Sequence, residues 1–263
     1  MQGKRVWITG ASSGIGEALA KGFAELGANL ILSARNEAEL HRVKAACSAK
    51  AKEIMVVPMD VSKHDEVFRT AERIISQVGK IDILINNAGI SQRSFVKDTD
   101  FEVDKRIMEV DFFGTVALTK AVLPSMILHK LGHIVVITSV LGYIGTPIRS
   151  AYAAAKHALH GYFDSLRAEI WQDNIQVLLV VPGFIKTNIS LNALTADGKA
   201  QGAMDDGQSG GLAPELLAQR VIHAIEDNKE EIYVGGMKEM AAIYMKRFFP
   251  KWFSKIVRKM KTT

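Results

Sequence analysis

Six near-continuous apolar runs punctuate this chain. They are KRVWIT (4–9), NLILSA (29–34), EIMVVPMD (53–60), IDILINNAG (81–89), HIVVITS (133–139) and IQVLLVVPG (175–183). Each has the length of a strand and lacks the strict alternation of a half-exposed one, as expected for strands covered on both faces. Helical stretches of a dozen or more residues separate them. The first runs from the Gly10 turn through Leu26, where Gly27 stops it. The second, NEAELHRVKAAC (36–47), has acids at its front and bases behind. Strand–helix alternation this regular predicts right-handed βαβ units, hence an α/β fold with a parallel sheet and helices on both sides. No linker, repeat or low-complexity block divides residues 1–263, so a single domain is expected. The one irregular region, 187–214, holds Gly198, Gly202, Gly207, Gly210 and Gly211. Loops of that length in compact domains are usually functional. Residues 188–213 are expected to form a flexible cover over a substrate.

One helical stretch contains an anomaly. EVDFFGTVAL (109–118) is apolar on almost every side, yet Asp111 lies within it. A carboxylate there is costly to bury unless it is paired or keeps its proton.

Composition narrows the field. The single cysteine, Cys47, excludes a disulfide framework and fits a reducing compartment. MQGK leads straight into the first strand run, leaving no room for a signal peptide, and no 18 consecutive apolar residues appear; a cytoplasmic protein is expected. Among seven histidines only His129 and His133 are four apart, and both read as surface residues rather than a metal box. The net charge of +5 belongs to one end. Seven basic residues and no acidic one follow Glu239, so the body before them is slightly acidic. That argues against nucleic-acid binding by the body.

TGASSGIG (9–16) joins the first strand to its helix. Gly10-Ala11-Ser12-Ser13-Gly14 matches the G-x-S-x-G elbow of hydrolases. That reading needs an earlier strand–helix loop for an oxyanion hole, and only nine residues precede Gly10. The alternative is a dinucleotide fingerprint spaced G-x-x-x-G-x-G. Gly10 makes the tight turn, Gly14 admits a pyrophosphate, and Gly16 lets helix and strand pack closely. Free N–H groups at the helix start, near Ile15, would face the phosphates. The second strand run ends LSARNE, with Ala34 where an NAD-binding acid would stand and Arg35 next. A guanidinium fork suits a 2′-phosphate, so NADP(H) is predicted, read by Arg35 and Ser33.

Tyr152 and Lys156 are four apart in the helical SAYAAAKHALHGYFDSL (150–166), and Ser139 closes the fifth strand run. A Tyr-x-x-x-Lys pair alone says little; its company gives it weight. A free tyrosine has a pKa of about 10. A nearby ammonium favours the phenolate. Lys156 can supply that charge and hold a nicotinamide ribose. Ser139 can donate a hydrogen bond to a carbonyl oxygen that Tyr152 protonates as hydride arrives.

Together these residues resemble the short-chain dehydrogenase/reductase family. The pattern spans about residues 4–235: Thr9-Gly10-x3-Gly14-x-Gly16, Asp60, Asn86-Asn87-Ala88-Gly89, Ser139, Tyr152-x3-Lys156, and Pro182-Gly183 with Thr187. The resemblance implies a doubly wound Rossmann sheet of seven parallel strands in the order 3-2-1-4-5-6-7. It implies cofactor contacts from Gly10, Ser12, Ser13, Gly14, Ile15 and Gly16, from Asp60 and Val61 near the adenine, and from Asn87 near the adenosine ribose. Ala88, Gly89, Pro182, Gly183, Ile185, Tyr152 and Lys156 complete the set, with Thr187 near the carboxamide. It further implies a homodimer or homotetramer built on helices around 103–128 and 152–171. The family's fourth catalytic residue is usually an asparagine; here the position is Asp111. An ionised aspartate only accepts hydrogen bonds, so Asp111 either carries a proton or draws on the charge of Lys156 through water. A nucleotide sensor without catalysis is the rival reading that this departure leaves open.

KWFSKIVRKMK (251–261) places Trp252, Phe253, Ile256, Val257 and Met260 within one helical arc of about 140°. Basic residues fill the other side. This basic amphipathic tail (246–263) suits either an anionic membrane surface, through residues 250–263, or packing on protein. It also makes the chain look similar to family members that reduce lipid-like carbonyls. Leu141, Tyr143, Ile144, Phe184 and Ile185 are candidate walls for an apolar substrate, and Arg93 or Arg149 candidate readers of a phosphate.

Overall fold

The computed structural model describes residues 1–47 and 49–259. Seven parallel strands make one sheet: β1 Arg5–Thr9, β2 Asn29–Ala34, β3 Ile54–Pro58, β4 Ile83–Asn86, β5 Gly132–Ile137, β6 Ile175–Pro182 and β7 Glu231–Val234. Their order is β3-β2-β1-β4-β5-β6-β7, the doubly wound arrangement expected. The helices are α1 Gly14–Glu25, α2 Glu37–Cys47, α3 His64–Val78, α4 Phe101–Met108, α5 Gly114–His129, α6 Ser150–Glu169, α7 Asp206–Ser209, α8 Pro214–Glu226, α9 Met237–Phe248 and α10 Pro250–Val257.

Alternate side chains of each strand feed two cores. Val6 and Ile8 of β1 join Leu19 and Phe23 of α1, Leu40 of α2 and Val221 of α8 on one face. Trp7 joins Val67 of α3, Leu118 of α5 and Phe163 of α6 on the other. This period of two in a strand buried on both faces explains why the sequence reads as continuous apolar runs. A side chain of this kind contributes about 1.5–3 kcal/mol when fully buried. The buried Trp7 indole would lose part of that without a partner, and its Nε1 donates to Ser33 Oγ at 2.8 Å.

The strands point their carboxyl ends to one edge. The chain order reverses between β1 and β4, and α/β sheets open a ligand crevice at such a switch. The strands are shorter than their apolar runs, so Ser139 lies two residues past β5 in the turn that follows.

The helix containing Asp111 is interrupted. Between α4 and α5, Glu109–Phe113 forms one π turn, and the three pieces run on as a continuous helix from 101 to 129. By length and composition alone this helix could cross a membrane. Half of its apolar window is nevertheless buried within the fold, as in the core helix of an α/β layer. The expectation of no such segment rested on uninterrupted runs, and polar residues such as Thr115 and Thr119 interrupt this one. Both bond backward to carbonyls within the helix, at 3.1 and 2.8 Å.

The loop expected to be a flexible cover is docked. Leu194 N–H donates to Ser91 O and Arg93 N–H to Leu194 O, both at 2.8 Å, pairing the loop with the chain after β4. Ser190, Ala193, Leu194 and Asp205 are buried.

Candidate active site

The glycine turn is built as a cradle. Gly10 and Gly14 have φ of +63° and +55°, a region where a side chain is strained. A Cβ on Gly16 would stand 2.2 Å from Gly10 O, so only glycine lets α1 start this close to β1. Ser13, at the N-cap of α1, makes no side-chain cap hydrogen bond. The first N–H groups of that helix are therefore not capped from within, and a helix start of this kind favours an anion. Thr187 closes over the turn, its Cγ2 3.0 Å from where a Gly14 Cβ would be. Gln208 on α7 fixes Thr187 with a 3.0 Å bond to Oγ1 and also donates to Ile185 O.

Thr9 and Asn87 lock this turn to β4. Thr9 Oγ1 accepts the N–H groups of Asn87 (3.0 Å) and Ala88 (3.1 Å), and Asn87 Nδ2 returns a bond to Thr9 O at 3.0 Å. Asp60 Oδ1 accepts from Ser62 N–H (3.0 Å) and Ser62 Oγ (2.8 Å). Burial pushes its carboxyl up, but these bonds and the charges of Arg35 and Lys63 outweigh it and hold the pKa below the ordinary value. Arg35 is exposed at the end of β2 and reaches the same cavity. Ser33 lines the same cavity but is buried, and its Oγ accepts from Trp7, so of the two expected readers Arg35 is the exposed one.

The cavity has a volume of about 1340 Å³, above the ~300–1,000 Å³ of ordinary small-ligand pockets. It is lined by the glycine turn, Arg35, Asp60, Asn87, Ser139, Tyr152, Lys156 and Thr187, so a dinucleotide's binding residues and the candidate catalytic residues share one space. A dinucleotide fits what is present: an uncapped helix start, a turn that excludes Cβ atoms, and room beyond it.

Ser139 is extended at the start of a 3-10 turn, and its Oγ accepts Leu141 N–H at 3.1 Å. Tyr152 is buried on α6, with Lys156 Nζ 5.5 Å from its ring centroid. Lys156 Nζ donates to Ile137 O at 3.2 Å. The π turn brings Asp111 into this group. The side chain is fully buried; Oδ1 accepts Ile90 N–H at 2.8 Å, and Oδ2 lies 3.3 Å from Lys156 Nζ. Oδ2 makes no aligned hydrogen bond among the described residues, so this is a charge contact. It is direct, where one of the two expectations for Asp111 had placed a water between them. Gly89 lines the pair: a Cβ there would stand 3.1 Å from Oδ2 and 3.4 Å from Nζ.

Burial raises the Asp111 pKa, against the pull of the Lys156 charge and the Ile90 N–H. Burial acts to lower that of Lys156, but the charges of Asp111 and Tyr152 overcome it and the net direction is up. The ammonium form of Lys156 is thus secured by a carboxylate that is itself reluctant to ionise.

Several residues have other duties than the sequence suggested. Arg93 and Arg149, the candidate readers of a phosphate, line the cavity but are paired with a carboxylate. Arg93 Nε and Arg149 Nη2 bind Asp205 Oδ2 at 2.9 and 2.8 Å, and all three side chains are nearly buried. Burial pushes the Asp205 carboxyl up, but bonds from Arg93, Gln201 and Arg149 win and its pKa is held low. This knot ties the 187–214 loop to the chain before Tyr152. Tyr143 turns away from the cavity and donates to Glu231 Oε2 at 2.6 Å, while Leu141, Ile144, Phe184 and Ile185 do line it. His129 lies exposed at the end of α5, and His133 on β5 meets Asn228 at 3.1 Å. No group of three metal-ligating side chains occurs among the described residues.

A dinucleotide-type cradle that opens into the same cavity as Ser139, Tyr152 and Lys156, at the carboxyl edge of a doubly wound sheet, is the arrangement of a Rossmann-fold oxidoreductase. Comparison with known proteins agrees: the short chain dehydrogenase family model matches residues 4–197. The chain belongs to the short-chain dehydrogenase/reductase family. It is 44% identical to "Dehydrogenase/reductase SDR family member 7B" of Xenopus laevis over 264 aligned residues, which cover 98% of this chain and 81% of that protein. Among solved structures, a short-chain dehydrogenase from Streptomyces avermitilis superposes with a TM-score of 0.81 at 25% identity, covering 99% of both chains. A metagenomic short-chain oxidoreductase in complex with NADP superposes with a TM-score of 0.74 at 27% identity, over 89% of this chain and 97% of that one.

Proposed function

We propose that this oxidoreductase interconverts a lipid-like ketone and its secondary alcohol with NADP(H), using Tyr152 as the acid and base. The observation that carries the reading is the shared cavity, in which Tyr152, Lys156 and Ser139 stand beyond the glycine cradle. When bound, NADPH supplies the hydride that goes to the carbonyl carbon. Ser139 Oγ orients the carbonyl oxygen. Tyr152 gives that oxygen its phenolic proton, and the carbonyl becomes an alcohol. Lys156 stabilises the phenolate left behind, and in the oxidative direction the same proton returns. The Asp111 carboxyl positions Lys156 and balances its charge.

The coenzyme assignment is supported by Arg35 at the end of β2, by the lack of an acid at Ala34, and by the NADP-bound relative. The lipid-like substrate is supported by the apolar walls Leu141, Ile144, Phe184 and Ile185. Oxidation of NADPH and NADH is to be followed over a panel running from small polar ketones to long-chain ones. NADPH should be preferred, and long-chain ketones should give the higher kcat/KM. Arg35→Ala should raise KM for NADPH about tenfold or more, as expected for losing a charge-assisted bond worth roughly 1.5–3 kcal/mol, and leave NADH nearly unchanged. Equal loss with both coenzymes would remove the 2′-phosphate assignment.

Asp111 makes the pH dependence informative. Its raised pKa means that acid neutralises the carboxylate that balances Lys156 closer to neutral pH than an ordinary aspartate would allow. The kcat/KM profile of the wild type should therefore fall on its acid side. Asp111→Asn should flatten that limb. Superimposable profiles and rates would show that only the backbone at 111 matters.

A further inference from the structure

The C-terminal helices divide the apolar arc of the tail. Phe253 is buried with Val140, Ile144 and Val181, and Val257 packs against the same cluster. Lys246, on α9, donates to Tyr143 O at 2.6 Å and fastens the pair of helices to the wall of the active site. The remaining apolar side chains face outward: Phe248, Phe249 and Trp252 are 67%, 63% and 73% exposed, and Ile256 is 46% exposed. Met260 of the predicted arc and Lys261 of the basic side lie outside the described residues.

At about 100° per residue, Trp252 and Ile256 sit 40° apart on α10, with Phe249 at its entrance on the same side. Exposed Lys251 and Lys255, followed by Arg258 and Lys259, occupy the adjoining sector, and Phe253 and Val257 the sector on the core side. No acidic residue follows Glu239. Protein packing therefore uses only part of the arc. What is left is a strip of aromatic and aliphatic side chains that, along α10, has cations as its charged neighbours. Such a strip complements the acyl–headgroup boundary of a negatively charged bilayer in both polarity and charge. A second copy of this chain would bring the same cations face to face.

We infer that α10 and the end of α9 dock this enzyme on anionic lipid bilayers, with Trp252, Phe249, Phe248 and Ile256 entering the interface. Lys251, Lys255, Arg258 and Lys259 meet the headgroups. Lys238, Glu239 and Ala242 of α9 also line the cavity, so the unit that touches the bilayer is one wall of the substrate site. This docking stands independently of the proposed reaction, because it is read without substrate.

The test is cosedimentation of the full chain with vesicles of phosphatidylcholine, with and without phosphatidylserine. Binding should require phosphatidylserine and fall with added salt. Lys251→Gln with Lys255→Gln should weaken it about thirtyfold, at roughly 1 kcal/mol per basic residue near an anionic surface. Trp252→Ala should weaken it about tenfold or more, and because the side chain lies outside the core, circular dichroism and coenzyme binding should not change. Absence of vesicle binding, equal binding to neutral vesicles, or variants that bind as the wild type does would each overturn the proposal. So would a dimer that Trp252→Ala converts to monomer while vesicle binding persists, since the strip would then belong to a second copy.

Discussion

Lys156→Met should destabilise the protein by about 3–5 kcal/mol at neutral pH, the cost of leaving a buried charge without its partner. The carboxyl of Asp111 has no exposure, and among the described residues Lys156, at 3.3 Å, is the cation paired with it. Without the ammonium, only the Ile90 N–H opposes burial at Asp111, and its folded pKa rises further above the unfolded value of about 3.9. The sign of the pH dependence follows. Between those two pKa values the native state of the variant holds a proton that the unfolded chain has released, so stability falls as pH rises through that window. The deficit against wild type should therefore be large at pH 7.5 and shrink as the pH approaches 4. The double variant Lys156→Met/Asp111→Asn should recover most of the loss, because it buries no lone charge. Urea unfolding at both pH values measures this. A loss independent of pH, with no recovery in the double variant, would mean that Lys156 acts through packing.

Much of this site could be read from the sequence because its parts are local. The Gly10–Gly16 turn, the Arg35 position and the Tyr152–Lys156 spacing each lie within one strand–turn–helix unit, where a few φ values and a helical period settle the geometry. The sheet followed from its runs of Val and Ile, although β7 is only four residues, EIYV, and was reached by the family resemblance rather than by its own pattern. What the sequence hid depends on distant partners. Asp205 comes from a glycine-rich loop that offers no period, yet it joins Arg93 and Arg149 across more than fifty positions. Those arginines looked like phosphate readers because a sequence does not display an ion pair of that range. Tyr143 was assigned to the cavity for its ring, and Glu231, on a strand that the pattern did not reveal, turns it away.

Asp111 shows both sides of this. Its anomaly was plain in an apolar helix, and its pairing with Lys156 was anticipated. The π turn that carries it inward was not, since a π turn adds one residue per turn without changing which residues are apolar. The turn also places the carboxyl against Gly89, the one kind of residue whose lack of a Cβ leaves room for Oδ2 and Nζ.

The second large effect concerns Tyr152. Tyr152→Phe keeps the ring in its place on α6 and removes only the phenolic oxygen. General acid–base catalysis contributes about 10²–10⁴-fold, and no other acid among the described lining residues is carried on the helix that also holds Lys156. The glycine turn, Arg35 and Lys156 line the same cavity and are left untouched by this change, so NADPH affinity should fall far less than kcat. A fall in kcat with intact binding identifies an interaction made in the reaction rather than in assembly of the site.

The measurement that bears most directly on the account is NADPH oxidation with a long-chain ketone, run side by side for wild type and Tyr152→Phe, with NADPH affinity determined for both. The account predicts turnover by the wild type, a loss of about 10²-fold or more in the variant, and a far smaller change in NADPH affinity. Full activity in Tyr152→Phe would contradict the assigned proton transfer. Tight NADPH binding by a wild type that turns over none of the carbonyls would contradict the enzyme itself and leave a nucleotide sensor on this fold.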